Sequence, residues 1–210
     1  YDTFHKLIPD DGTLKEFHAK LDAMHVSLSS FQVFLGLEKD LVKETGLTDS
    51  EFSVQNGYDP EADFKAALAG SADGGFGLTL YDNIDSGYSP PGKNTLSIIT
   101  LQSYDTWKKY EADYLAGKKD AYRAEKERLA DALITQVEKR LLPGLRRAIE
   151  VREVATPLTN LRYTSNYRGA IYGWDQTLDN SMPRRLAQTT PVKNLYLASA
   201  WTQPGGGYSG

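Results

Sequence analysis

The chain closes on a short apolar run that leads into three consecutive glycines. The run, residues 195–198, is typical of a strand in a sheet that is buried on both faces. The glycines at 205–207 carry no Cβ, so their backbone can approach a ligand closely. In nucleotide-binding folds a helix follows such a turn, and its free N–H groups face a phosphate. The pattern therefore predicts one part of a nucleotide- or flavin-binding protein, with a flexible C-terminal tail as the alternative.

Hydrophobic periodicity upstream of that run predicts a body of sheet and helices. Apolar residues alternate with polar or small ones over residues 31–37 and 76–80, which is the period of a half-buried strand. An amphipathic helix is predicted at 118–142, where Pro143-Gly144 ends it. Shorter patterns predict helices at 13–24 and 59–68, strands at 52–54, 96–101 and 149–154, and a short helix or turn from Thr156-Pro157. Locally paired strands with inserted helices indicate an α+β fold around a largely antiparallel or mixed sheet.

Composition argues against several classes of function. The 210 residues carry a net charge of −4, which argues against general nucleic-acid binding. No apolar run reaches the length of a membrane span and the sequence has no cysteine, so we expect a cytoplasmic chain. His5, His18 and His25 lack the spacing of metal ligands, and we expect no metal site. Because no nucleophile or acid–base pair stands out, any chemistry is expected to come from a cofactor.

A second candidate segment lies at residues 162–174. Aromatic residues, hydroxyls and glycines are crowded together there without a helical or strand period. Tyrosine and tryptophan offer a flat apolar face and a polar tip, and such residues often line pockets. An aromatic-rich loop that packs on a core explains the same composition, and the residues leave both interpretations open.

The end of the chain resembles a known family. The motif NLYLASA at 194–200, followed by TQPGGG at 202–207, resembles the C-terminal flavin-binding signature of the phytoene desaturase and carotenoid isomerase family, which includes the retinol saturases. Residues 155–159 and 169–173 are similar to that family's sequence ahead of the signature. Residues 34–37 and 89–92 resemble landmarks of its substrate domain. The specific part of the resemblance lies in the last fifty residues.

The resemblance implies an FAD-dependent oxidoreductase that transfers hydride to or from flavin on a long apolar polyene, by desaturation, saturation or isomerisation. It implies a substrate-binding domain at residues 1–154 and, at 155–210, the C-terminal part of a Rossmann-like FAD-binding domain. The family's N-terminal glycine fingerprint, which holds the FAD pyrophosphate, does not occur in this sequence. We therefore expect a fragment that alone does not hold FAD tightly. Peripheral membrane contact is one route by which its lipophilic substrate would arrive.

The resemblance also implies site residues. Those along the flavin would be Ala200, Trp201, Pro204, Gly205, Gly206, Gly207 and Tyr208. Trp201 is bulkier than the small residue that the family has at this position. Those that wall the cavity where the polyene meets the flavin ring would be Tyr163, Tyr167, Tyr172 and Trp174. No catalytic side chain is implied, since hydride transfer needs only a dry, shaped slot that holds substrate near the flavin.

Two other functions remain open at the level of the sequence. Flavin-dependent amine oxidases have related architecture, and the tyrosine cluster could form an aromatic cage around an amine. The Pro-Gly-Gly-Gly ending favours the polyene enzymes instead. The chain could also act as a cofactor-free module that binds a lipid or a partner protein, in which case the glycines are only a terminus.

Overall fold

The computed structural model describes residues 1–9, 12–85 and 87–206, without the side chain of Met182. The chain forms two compact units: the sheet unit, Ser30–Thr156, and the split unit, Tyr1–Ser29 together with Pro157–Gly210. The N-terminal segment groups with the C-terminal segment, because Leu14 and Leu21 pack in one cluster with Trp174. The division into a substrate-binding domain at 1–154 and part of an FAD-binding domain at 155–210 stays a prediction.

A five-stranded sheet organises the sheet unit. Its strands are β1 (Ser29–Leu37), β2 (Glu51–Val54), β3 (Phe76–Thr79), β4 (Asn94–Gln102) and β5 (Ile149–Ala155). They lie in the order β2-β3-β4-β1-β5. The pairs β2–β3, β3–β4 and β1–β5 run antiparallel, with Leu78 opposite Ile98 and Phe34 opposite Glu153. The predicted α+β class with a largely antiparallel sheet is confirmed.

Helices cover one face of this sheet. They are α2 (Leu41–Thr45), α3 (Pro60–Ala69), α4 (Asp105–Leu115), α5 (Asp120–Arg140) and α6 (Leu145–Ala148). The Asp59 side chain caps α3 by accepting a hydrogen bond from the Glu61 N–H, as its Asp-Pro sequence predicts. Helix α4 was not predicted. Its Trp107 stacks on Phe31 of β1 at 5.8 Å and donates its indole N–H to the Gln102 side chain at 2.8 Å.

The two faces of the sheet differ in burial. Along β1, Phe31, Val33, Leu35 and Leu37 are buried on the helix side. Phe34 points the other way and is 43% exposed, and Val151 of β5, on the same face, is 57% exposed. The sheet therefore presents apolar side chains on both faces, and the second face is partly open to solvent.

The split unit contains little regular structure. It holds a π-helical turn (Thr3–Leu7), the helices α1 (Lys15–Ala23) and α7 (Pro157–Thr164), and 3₁₀ turns at Tyr167–Gly169 and Met182–Arg184. Its buried cluster comprises Phe4, Leu14, Leu21, Trp174 and Leu186. Within the described ranges, no helix of either unit combines the length and apolar character needed to cross a membrane.

The predicted strand at 195–198 is wrong. Tyr196 forms one isolated antiparallel bridge with Thr189 and is 70% exposed. Leu195 and Leu197 instead pack against the buried cluster of the split unit. An extended run becomes a strand when neighbours complete its ladder of hydrogen bonds, and here only alternate side chains face a core. The Rossmann-like layer that this strand was expected to enter is not confirmed.

Candidate functional site

Five of the predicted flavin-contacting residues lie in a compact turn, residues 199–206, which we call the glycine segment: Ala200, Trp201, Pro204, Gly205 and Gly206. The Thr202 hydroxyl donates to the Ser199 carbonyl at 3.0 Å, and the Thr202 side chain is buried. The Trp201 ring meets Trp174 edge-on at 4.8 Å, and its indole N–H donates to the Asn166 side chain at 3.2 Å. The segment is thus held by local polar contacts and by aromatic packing, and Trp201 points into the split unit.

Glycines bring the aromatic-rich residues 162–174, which we call the aromatic segment, directly against the glycine segment. Gly173 has φ +71°, and a Cβ there would lie 2.7 Å from the Ala200 carbonyl oxygen. A Cβ on Gly206 would lie 2.8 Å from the Cα of Tyr172. Real Cβ atoms do not approach backbone this closely, so both positions require glycine. Two segments that the sequence analysis treated separately are therefore packed side by side.

The buried side chain of Arg185 connects the aromatic segment and the glycine segment by hydrogen bonds. It is 1% exposed and follows the 3₁₀ turn Met182–Arg184. Its Nε donates to the Thr202 carbonyl at 3.0 Å. Its Nη2 donates to the carbonyls of Tyr172 at 3.0 Å and Ala200 at 2.6 Å. Arg185 lies in a stretch without period or motif, and no sequence signal pointed to it.

The charge on Arg185 sits in an unfavourable environment. Burial lowers the pKa of its guanidinium below the ordinary value, and the Asp175 carboxylate opposes that shift only in part. Its Nη1 has no hydrogen-bond partner among the described residues. A buried donor without an acceptor is destabilising, so this group is suited to receive an acceptor from a ligand.

The predicted wall residues divide into two pairs. Tyr172 and Trp174 flank Gly173 and therefore lie beside the glycine segment. Tyr172 is 45% exposed, whereas Trp174 is fully buried and belongs to the core cluster. Of this pair, Tyr172 alone has surface available to a ligand.

The other pair is Tyr163 and Tyr167, and Tyr1 links Tyr167 to Trp174, which its ring meets edge-on at 6.4 Å. Tyr167 stacks on the Tyr1 ring at 3.8 Å. Tyr163 is 77% exposed on α7, with the Arg162 guanidinium 5.5 Å from its ring. Their predicted role as cavity walls stays a prediction. Gly207 and Tyr208 lie outside the described residues.

The open face of the sheet carries an apolar groove of about 610 Å³. Its lining residues come from β1, β3, β4, β5 and the β3–β4 connection: Phe34, Leu35, Gly36, Thr79, Tyr81, Tyr88, Thr95, Leu96, Ser97, Val151 and Glu153. The small residues Gly36 and Ser97 form the bottom of the groove, and the larger side chains of Phe34 and Val151 form its sides. The signal for this groove is Phe34 on the polar side of an alternating strand, with Gly36 two positions along the same face.

Two further features bear on chemistry. A cavity of about 790 Å³ near α2 is lined mainly by polar and charged residues, among them Lys43, Asp82 and Lys93, and it does not match an apolar ligand. In the described part of the chain, no group of three or more His, Asp or Glu side chains could hold a metal ion.

Comparison with known proteins gives consistent relatives, although no family model matches the chain. A chloroplastic prolycopene isomerase of Daucus carota is 28% identical over 208 residues, covering 99% of this chain and 31% of the relative. An all-trans-retinol 13,14-reductase of Danio rerio is 25% identical over 217 residues, covering 94% and 34%. A chloroplastic prolycopene isomerase of Arabidopsis thaliana is 29% identical over 212 residues, covering 99% and 32%. The predicted resemblance to the carotenoid isomerase and retinol saturase-like family is confirmed.

These relatives of the carotenoid isomerase and retinol saturase-like family are enzymes, an isomerase and a reductase by name. The chain spans about a third of the length of the curated relatives it matches. The matched region includes both the sheet unit and the split unit, since the alignments to the two plant isomerases cover 99% of the chain.

Proposed function

We propose that the protein is an FAD-dependent oxidoreductase acting on a long apolar polyene, of the carotenoid or retinoid kind. The observation that carries this proposal is the packing of the glycine segment against Gly173. It joins the segment that resembles the family's flavin-binding signature to residues 169–173, which are similar to the family's sequence ahead of that signature. The relatives support the substrate class, because their names specify prolycopene and all-trans-retinol. In this proposal, residues 155–210 contribute to the flavin site of a Rossmann-like domain. The five-stranded sheet contributes to substrate binding.

The residues of the split unit fit a ligand that is rich in hydrogen-bond acceptors, as FAD is. Buried polar atoms without a partner in the described part of the chain include Arg185 Nη1 and Thr177 Oγ1. Both can donate a hydrogen bond. FAD, when bound, supplies the hydride chemistry, and the protein supplies orientation and electrostatics. The glycine segment would present its backbone to the cofactor without intervening side chains.

The groove on the sheet unit fits an apolar chain. Phe34 and Val151 offer partly exposed apolar surface, and Tyr88, 58% exposed, adds an aromatic face. A polyene laid on this surface would bury those side chains and gain about 25 cal/mol for each Å² removed from water. Contact along its length would fix the position of the reacting double bond and exclude water, which is the positioning that hydride transfer requires.

Substitutions on the groove test this proposal. In the full-length protein reconstituted with FAD, Phe34→Glu and Val151→Glu place a charge on the apolar surface. We expect each to weaken binding of all-trans-retinol about tenfold, measured by retinol fluorescence, with FAD affinity unchanged. Ser53→Glu is the matched control, because Ser53 lies on the same face of the sheet outside the groove.

The outcomes separate the competing functions. Retinol affinity that is unchanged in Phe34→Glu would contradict the assignment of the groove. Retinol binding by a wild-type protein that takes up no flavin would favour a cofactor-free lipid-binding module. Binding of a hydrophobic amine that is weakened in Phe34→Glu, by a protein that does not bind retinol, would favour the amine oxidase alternative.

A further inference from the structure

Arg185 differs from Arg152 and Arg184 in how its charge is compensated. Arg152 pairs with Asp131 at 2.7 Å and also with Glu127. Arg184, the preceding residue, pairs with Asp179 at 3.2 Å, and its side chain is 65% exposed. Arg185 is buried, and among the described residues it makes no ion pair with a carboxylate. Its positive charge is therefore offset only in part, by the Asp175 carboxylate, with no ion pair among the described residues.

The hydrogen bonds of the Arg185 guanidinium are only partly used. Five N–H groups are available on this side chain. Nε uses one of them on Thr202, and Nη2 uses two on Tyr172 and Ala200. The two N–H groups of Nη1 find no acceptor in the described part of the chain. Neutral backbone carbonyls accept the hydrogen bonds of Nε and Nη2. The N–H groups of Nη1 remain available to a stronger acceptor.

This group lies against the glycine segment. A Cβ on Gly205, which has φ +132°, would clash with the Gln176 side-chain nitrogen and lie 3.3 Å from the Arg185 Cζ. The absence of a side chain at Gly205 therefore lets the backbone lie directly on the guanidinium. A ligand held by the backbone of this segment would come within the field of the Arg185 cation, which no described carboxylate pairs directly.

We propose that Arg185 is a cofactor-binding residue whose Nη1 donates hydrogen bonds to a negatively charged oxygen of the flavin cofactor, while its Nε and Nη2 hold the glycine segment in shape. This inference rests on the proposed function and adds a specific residue to the flavin site. The oxygen belongs either to the FAD diphosphate or to the pyrimidine edge of the flavin ring. Both are acceptors that a guanidinium binds well, and lysine, a point charge without the planar fork, is a poor replacement.

The test uses the full-length protein and FAD itself. Arg185→Gln removes the charge, and Arg185→Lys keeps the charge without the fork. We expect the FAD dissociation constant to rise about tenfold to a hundredfold in Arg185→Gln and by a smaller factor in Arg185→Lys. Arg184→Gln removes the same charge from the neighbouring exposed position, and its FAD affinity should change less than about twofold.

Riboflavin, which lacks the diphosphate, distinguishes the two oxygens. If Nη1 binds the diphosphate, Arg185→Gln weakens FAD binding and leaves riboflavin binding unchanged. If Nη1 binds the ring, both flavins lose affinity by the same factor. Either result supports the inference. FAD affinity in Arg185→Gln equal to that of the wild type overturns it.

A second measurement needs no variant and stands even where Arg185→Gln does not fold. In wild-type protein labelled with ¹⁵N-arginine, the Nη1 resonance of Arg185 should shift on addition of FAD, while that of Arg184 should not. A wild-type protein that binds flavin with no change at Arg185 overturns this inference alone. A wild-type protein that binds no flavin overturns the proposed function and this inference with it.

Discussion

The sheet unit and the split unit are held together by different kinds of interaction. In the sheet unit, Phe31 of β1 stacks on Trp107 of α4, and apolar residues such as Ile98 and Leu133 are fully buried. The split unit has a small apolar cluster, and much of its C-terminal half is joined by side chains that bind backbone carbonyls. Asn180, for example, donates to the carbonyls of His25 and Asp175.

This difference bears on what each unit can do. Apolar packing is strong and non-directional, so it makes a rigid platform whose open face can bind a ligand. Hydrogen bonds to backbone contribute less each, but they specify one conformation of an irregular segment. We therefore expect the sheet unit to respond most to loss of volume and the split unit to small changes of geometry.

The largest effect is expected in the core of the sheet unit. Trp107→Ala removes a side chain that is 1% exposed and leaves the side-chain oxygen of Gln102 without the donor that it has in the wild type. We expect the free energy of unfolding to fall by about 3–5 kcal/mol, measured by urea denaturation. Leu115→Ala on the same helix is the control, because Leu115 is 71% exposed and should cost less than about 0.5 kcal/mol. Equal losses in the two variants would contradict the assigned core.

An intermediate effect is expected from geometry in the split unit. Gly206→Ala places a Cβ 2.8–2.9 Å from backbone atoms of Tyr172, which cannot yield as a side chain does. We expect a destabilisation of about 1–3 kcal/mol, seen as faster amide hydrogen exchange in the split unit. Gly57→Ala meets no atom within 4 Å and serves as the control. Faster exchange confined to the sheet unit would contradict the account of this contact.

The smallest effect is expected from an ion pair at the surface of the sheet unit. The hydrogen bond from Arg152 lowers the pKa of the Asp131 carboxyl, and Arg146 acts in the same direction. Because the pKa is lower in the folded state, the stabilisation is present above the unfolded pKa of about 3.9 and is lost as the pH falls through the folded value. The side chain is 50% exposed, so we expect Asp131→Asn to cost less than about 1 kcal/mol at pH 7.

The pH dependence distinguishes this ion pair from simple packing. Between pH 5 and pH 3, the urea midpoint of Asp131→Asn should fall less than that of the wild type. The reason is that the variant has no carboxylate at position 131 whose protonation would break the ion pair. Asp113→Asn, at an exposed position of α4, is the control. A variant whose midpoint falls as steeply as that of the wild type would contradict a stabilising role for the Asp131 charge.

Most of the sheet unit could be predicted because its contacts follow from local periodicity. Alternation predicted β1 and β3, and helical spacing with Pro143-Gly144 predicted α5 and its end. Helix α4 was missed because aromatic residues with low helix propensity fill its buried face, namely Trp107 and Tyr114. There the packing against Phe31, which no local pattern reveals, decides the structure.

The split unit could not be predicted in the same way, because its contacts join distant parts of the sequence. Val26 bridges Trp174, and the Ser29 hydroxyl donates to the Gly169 carbonyl at 2.6 Å. Neither contact leaves a pattern in the local sequence. For the same reason residues 195–198 were interpreted as a doubly buried strand, although one side of the run is exposed.

The candidate site was predicted in pieces. The glycine and aromatic segments were recognised from their composition, but their adjacency depends on Gly173 and Gly206 meeting backbone. Arg185 was missed because its role depends on three carbonyls from separate positions, those of Tyr172, Ala200 and Thr202. The groove was missed because its lining comes from strands that are distant in the sequence. On β1 itself, Phe34 is the one large apolar residue among polar and small neighbours of the same face.

Turnover of a polyene by the FAD-loaded full-length protein tests the central claim most directly. The protein is mixed under anaerobic conditions with prolycopene or all-trans-retinol, its FAD either left oxidised or first reduced with dithionite as the electron donor. The products are then separated by chromatography. We predict conversion of at least one of the two, dependent on FAD and reduced at least tenfold in Gly206→Ala and Phe34→Glu. Conversion that is independent of FAD, or oxidation of an amine with neither polyene consumed, would contradict the account.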